Sequence, residues 1–123
     1  MKLKTLFIAN SIVSIPFGIG SVLAPYLFIS LFGATLSPAG ALMMQYGGAW
    51  LIGIGLLTWL SRDAAASQAG RQIALALLVA YLIALAVQLL GQLTGVLNAL
   101  GWIPVAIQLF FAVSLVYVLR LGQ

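Results

Sequence analysis

Four long apolar runs, separated by a few polar or helix-breaking residues, set the pattern of this chain. A helix needs about 20 apolar residues to cross a hydrocarbon core of about 30 Å, and each run reaches that length. The first extends from about Leu3 to Ala24. Pro16 lies inside it, removes one backbone hydrogen bond and predicts a bend. Pro25 ends the run and opens a shorter segment over 25–32, whose Tyr26, Phe28 and Phe32 suit the headgroup region where aromatics collect. Residues 33–36 read as a turn. Ser37-Pro38 predicts a helix start, a capping hydroxyl followed by proline at the first helical position, and the second helix covers 38–60. Ser61 to Gln68, with Arg62 and Asp63, is a polar loop. The third helix covers 70–94. A turn over 95–101 contains Asn98, and the fourth helix covers 102–121 with Pro104 in its first turn, where a missing N–H costs little. No linker or low-complexity segment interrupts this order, so 1–123 reads as a single transmembrane domain. Short connections make sequential helices antiparallel neighbours. The expected fold class is therefore all-α: a membrane four-helix antiparallel bundle.

Composition supports the same solvent. Of the 123 residues, 64% are hydrophobic and 5% charged, where a soluble domain carries about 25% charged residues. The opening Met1-Lys2-Leu3-Lys4 also fits a signal peptide, with Ala24 as the best cleavage point. Pro25 after the cut and the length of the apolar stretch favour a retained membrane helix. The five basic residues give a net charge of +4, too sparse for a nucleic-acid surface. Their positions carry more information. Lys2 and Lys4 precede the first span, Arg62 and Arg71 flank the middle loop, and Arg120 follows the last span. The turns at 33–37 and 95–101 carry none. With four spans all five basic residues fall on one side, which the positive-inside rule makes cytoplasmic. The expectation is a bacterial plasma (inner) membrane protein with both termini in the cytoplasm.

Cys and His are both absent. This removes thiolate and imidazole chemistry and any zinc or haem site built on those ligands. Asp63 is the sole side-chain carboxylate and lies in a loop. No helix therefore has the embedded carboxylate of a proton-coupled exporter. No enzyme activity and no cofactor are expected.

Polar side chains within the spans are few, and such residues usually face the bundle interior. At 1.5 Å per residue, Gln45 and Gln108 lie roughly 10 Å from the outer helix ends and Gln88 roughly 9 Å. Three helices thus bring a glutamine to one layer of the outer half. Gln92 lies one turn above Gln88, and Tyr46 adjoins Gln45. The layer reads either as interhelical glue, worth about 0.6 kcal/mol per bond, or as the polar floor of an outward-facing pocket for a lipid headgroup, quinone-like molecule or pigment. In the inner half of the first helix, Asn10 is the informative residue. Ser11 and Ser14 are expected to bond back to their own helix.

The second helix is rich in small residues. Gly47, Gly48, Ala49 and Gly53, with Gly18 on the first helix, permit close backbone approach. They suit packing of the first two helices or a dimer seam. Trp59, Trp102 and Tyr117 suit interface anchors. Trp50 is deeper, against the bundle or lipid.

The stretches Pro16-Phe17-Gly18-Ile19-Gly20, Ala24-Pro25, Gly47-Gly48-Ala49-Trp50 through Trp59-Leu60-Ser61-Arg62, and Gly95 to Trp102 with Asn98 form a recognisable punctuation. Through them the chain resembles an uncharacterised family of small four-helix bacterial integral membrane proteins. The resemblance implies the fold and no assigned activity. Many members of that family carry Arg where this chain has Gln45, which implies a position built for a polar group.

The leading functional expectation is a non-enzymatic accessory or structural subunit, or an assembly factor. Its partners would be the lipid bilayer and other membrane subunits or a second copy. The alternative is a binder or carrier of a lipophilic small molecule at the glutamine layer. A channel or transporter is the weaker third.

Overall fold

A computed structural model describes residues 2–121. The chain forms α1 (Leu3–Leu23), a short α2 (Pro25–Ser30), α3 (Pro38–Leu60), α4 (Gln68–Leu93) and α5 (Trp102–Arg120). Single 3-10 turns occupy Arg62–Ala64 and Ala99–Gly101. Among the described residues there is no strand. Four helical stretches of 21 to 26 residues are long and apolar enough to cross a membrane, and this is a helical membrane protein.

Local chemistry explains the ends. The Ser37 hydroxyl accepts from the Gly40 N–H at 3.0 Å and starts α3 at Pro38. Ser67 does the same for Gly70 at 3.1 Å. That cap starts α4 at Gln68, two residues before the expected boundary, because a serine satisfies N-terminal N–H groups that would otherwise go unpaired. Pro16 lies within α1 without ending it. Pro25 does break the chain, and the segment after it forms one short helix.

The helices pack unequally. The closest pair is α1 with α3. Along it, Val22 meets Gln45, Gly18 meets Gly48, Ile15 meets Gly55 and Ser11 meets Thr58, in opposite chain order. The backbones nearly touch midway. A Cβ on Gly18 would lie 2.6 Å from the Gly48 carbonyl oxygen, and one on Gly48 would lie 2.7 Å from that of Gly18. Next come α4 with α5, and α1 joins the two pairs through α5. The remaining neighbours, α3 and α4, do not pack against each other along their length. The bundle therefore has an open seam on one side.

Most of the core lies toward one end. Leu3, Leu6 and Phe7 of α1 pack with Ala65, Ala74, Leu77, Phe111, Leu115 and Val118. The same end holds the charges. Lys4 pairs with Asp63 at 3.0 Å, the Arg62 guanidinium lies 4.1 Å over the Trp59 ring, and Arg71 donates to the Leu119 carbonyl at 3.2 Å. A hydrogen bond from Lys4, reinforced by its charge, holds the Asp63 carboxyl below its ordinary pKa. This link stabilises the fold above the usual carboxylate pKa and is lost as pH falls through the depressed value. Both groups are largely exposed, so solvent screens it.

At the opposite end the two uncharged turns meet. The Asn98 N–H donates to the Phe32 carbonyl at 2.7 Å, and its side-chain amide donates to that of Leu31 at 3.1 Å. Gly33, at φ +77, leaves the space that the Asn98 side chain fills. Outward faces carry Trp50, Leu23, Leu60 and Leu93, all more than 70% exposed, which is the surface that lipid solvates.

Candidate functional site

A cavity of about 250 Å³ lies between the α1–α3 pair and the α4–α5 pair, in the half of the bundle away from the charged end. The uneven packing creates it. The large core side chains gather at the charged end, and α2 covers the gap that remains. Phe28 lies across Gly20 of α1 and edge-on to Phe17 at 5.5 Å, and with Ile29 and Phe32 it lines the cavity beside Leu97. The Asn98 bonds to Leu31 and Phe32 fasten this cover to the 95–101 turn. Val13, Met44, Leu51, Pro104 and Ile107 supply apolar walls. Its polar members are Ser14, Ser21, Tyr81, Gln88 and Gln108. None of the lining residues is charged.

A buried polar cluster adjoins it through Ser14 and Tyr81. Thr58, fully buried, donates to the carbonyls of Ile54 and Gly55 at 3.2 and 3.1 Å. Asn10 donates from Nδ2 to Thr58 at 3.0 Å. The Asn10 Oδ1 then accepts from Ser14 at 3.1 Å and from the Tyr81 hydroxyl at 2.5 Å. The Tyr81 ring stacks on Phe111 at 4.9 Å. Three helices, α1, α3 and α4, meet through one asparagine side chain. A buried amide is tolerated at this depth because its capacity is used.

The glutamine layer divides by role. Gln88 and Gln108 both line the cavity. Gln88 also donates to the Gly101 carbonyl at 3.2 Å. Gln108 makes no hydrogen bond among the described residues, and its Oε1 is buried without a partner. An unsatisfied buried acceptor costs about 1–3 kcal/mol. Among the described residues that line the cavity, Gln108 alone has such a deficit.

The other candidates lie elsewhere. Gln45 donates to the Val22 carbonyl at 3.0 Å. The chain turns at Ala24 and Pro25 has no N–H, so the last carbonyls of α1 lack their usual helical donors. Gln45 supplies one, and it does not line the cavity. Tyr46 is more than half exposed on the outer face of α3. Gln92 donates to the Asn98 carbonyl at 2.9 Å and secures the turn. Its own buried Oε1 lies against Gly101, where any side chain would collide with it.

The packing glycines divide in the same way. Gly18 and Gly48 make the α1–α3 approach, whereas Gly47, Ala49 and Gly53 face away from α1 with exposed positions or open space around them. The reason is helical period: at 100° per residue, 47, 49 and 53 leave the stripe of 48, 52 and 55. Ser11 bonds back to Phe7 as expected. Ser14 instead turns across to Asn10, its own helix neighbour one turn earlier. Trp50 points outward at 73% exposure.

Sequence reasoning missed Tyr81, Thr58, Ser21 and Asn98 as working residues. For Tyr81 a signal existed: it is the lone polar-tipped side chain between Gln72 and Gln88. A second space of about 400 Å³ lies on the same open seam toward the charged end, between Ile54, Leu57 and Thr58 of α3 and Ala69, Gln72, Ile73, Ala76, Leu77 and Ala80 of α4. It is a groove with mostly small apolar walls. Set against protein-family models, curated proteins and solved structures, the chain matches none of them.

Proposed function

We propose that this protein binds or carries a lipophilic small molecule in the cavity beneath α2. The carrying observation is Gln108, whose buried Oε1 has no partner among the described residues and which lines a mostly apolar space of ligand-pocket character. A bound molecule would engage the Gln108 amide, which makes no hydrogen bond among the described residues. The role is non-catalytic, since the polar groups around the cavity are amides and hydroxyls, with no basic side chain beside them. The seam between α3 and α4 supplies a route from the lipid.

The proposed setting is a bacterial plasma membrane, crossed by an antiparallel four-helix bundle with both termini cytoplasmic. The opposite chain order of the α1–α3 contacts and the gathering of Lys4, Arg62 and Arg71 at one end support it. Kinship with the small four-helix family belongs to the same proposal, on its Gly, Pro and Trp punctuation.

The test is extraction of wild-type protein from its native membrane followed by mass spectrometry of co-purifying lipophiles. A specific molecule should accompany wild type and fall severalfold in Gln108→Leu, while Gln72→Leu, in the inner groove, leaves it unchanged. Equal amounts in all three proteins would exclude the cavity as its site.

A second reading, as an accessory or structural subunit, draws on the outer face of α3. There Gly47 and Gly53 have open space around them, and Tyr46 and Trp50 project between them. That face has the small-residue character of a helix-packing surface.

A further inference from the structure

The groove between α3 and α4 has dimensions and chemistry of its own. Toward the charged end these two helices stand apart and leave a space of about 400 Å³ between them. Its α4 wall runs from Ala69 to Ala80. At 1.5 Å per residue that wall is roughly 16 Å long, close to half of a hydrocarbon core of about 30 Å. The groove thus has the length of one leaflet.

Its chemistry changes along that length. Gln72, exposed and one turn into α4, is the sole amide in the lining and lies near the charged end. Farther along, Ala76, Leu77 and Ala80 present hydrocarbon, as do Ile54 and Leu57 on the α3 wall. The Thr58 hydroxyl is turned to its own helix and to Asn10. Charge at this end is one-sided. Asp63 is the chain's only carboxylate side chain, and Lys4 pairs with it. Arg62, just past α3, donates to the Trp59 carbonyl at 2.6 Å, and Arg71, in the first turn of α4, donates to that of Leu119 at 3.2 Å. Each helix that walls the groove therefore ends beside an arginine with no carboxylate side chain to answer its charge. A guanidinium carries five N–H donors in a fork that matches phosphate oxygens, so donors remain on both after these bonds.

We infer that the α3–α4 groove binds one acyl chain of an anionic phospholipid, whose phosphate lies at the charged end toward Arg62 and Arg71. The lipid's ester groups come level with Gln72, whose amide N–H groups can donate to them. A zwitterionic lipid with the same chains fills the groove equally well and gains less at its mouth, because its own cation offsets the phosphate. This site is separate from the cavity beneath α2 and stands or falls without it.

The test is native mass spectrometry of wild-type protein released from nanodiscs that contain equal parts of phosphatidylglycerol and phosphatidylcholine with matched chains. The complex with one lipid should favour phosphatidylglycerol by about fivefold or more, the scale of one arginine at an anionic surface. Arg62→Gln combined with Arg71→Gln should abolish that preference. Ala76→Phe, which fills the groove, should lower the amount of bound lipid severalfold. Leu75→Phe, at the same depth on an exposed face of α4 outside the groove, should not. Equal retention of the two lipids by wild type overturns the proposal. Lipid held equally by Ala76→Phe and Leu75→Phe lies on the outer surface, and that result overturns it too. A dimer or a co-released partner chain that Ala76→Phe dissociates gives the groove to another helix, with the same effect. Should the arginine variant fail to fold, the wild-type ratio and the two phenylalanine variants decide.

Discussion

Asn10 joins side chains of three helices in the membrane interior. Through it, Thr58, Ser14 and Tyr81 are satisfied together. Removing a peripheral member differs from removing the hub. Tyr81→Phe deletes one bond and keeps the ring on Phe111, so it should cost about 0.6 kcal/mol, the average for such a bond in a membrane bundle. Asn10→Leu strands the Ser14 and Tyr81 hydroxyls together and should cost about 2–3 kcal/mol. Reversible unfolding in mixed micelles by SDS checks both values; equal costs would show that the asparagine is not the shared partner. Asn10 stood out in the sequence because an amide has no place in lipid without a partner. Its partners did not, since Thr58 and Tyr81 lie 48 and 71 positions away, and only the helix arrangement brings them together. Gln45, Gln88 and Gln108 were legible as polar positions at similar depth. Their faces were not, because depth follows from counting residues whereas facing depends on how each helix is rotated.

At the scale of elements, the α1–α3 pair is set by two glycines and the rest of the bundle is looser. A branched side chain at Gly48 would meet the Gly18 carbonyl and the Ser21 side chain. Gly48→Val should therefore force the pair apart and cost about 1–3 kcal/mol, the usual range for overpacking. Gly53→Val finds open space and should change stability by less than about 0.5 kcal/mol, as surface substitutions do. Thermal or SDS unfolding of the two variants checks the contrast. The spans themselves were readable from apolar length, and the caps at Ser37 and Ser67 show why their starts are sharp. The unequal packing was not readable. Every helix is apolar on all sides, so no face declares which neighbour it prefers. Short loops suggest that α3 and α4 pack as successive neighbours, yet the contacts of α3 go to α1 and those of α4 to α5.

For the whole molecule, one end is charged and the other is tied by Asn98. The proposed orientation predicts that a cysteine at Ala66 is labelled by an impermeant maleimide only from the cytoplasmic face, and one at Thr35 only from outside. The chain has no native cysteine to interfere. Labelling of both from one side would exclude the four-span arrangement. The open seam between α3 and α4 has a further consequence. A molecule that reaches the cavity along it leaves hydrocarbon, not water, and exchanges one apolar surrounding for another. Tail length then adds almost nothing to affinity, because lipid solvates each methylene about as well as the cavity does. Counted per lipid, 4-butylphenol and 4-octylphenol should bind within about twofold of each other, although water-to-lipid partitioning separates them by about 0.8 kcal/mol for every methylene. Selection in such a site rests on shape and on a few hydrogen bonds. On the proposed binding role the bilayer would act as reservoir, and its composition would set how full the cavity is.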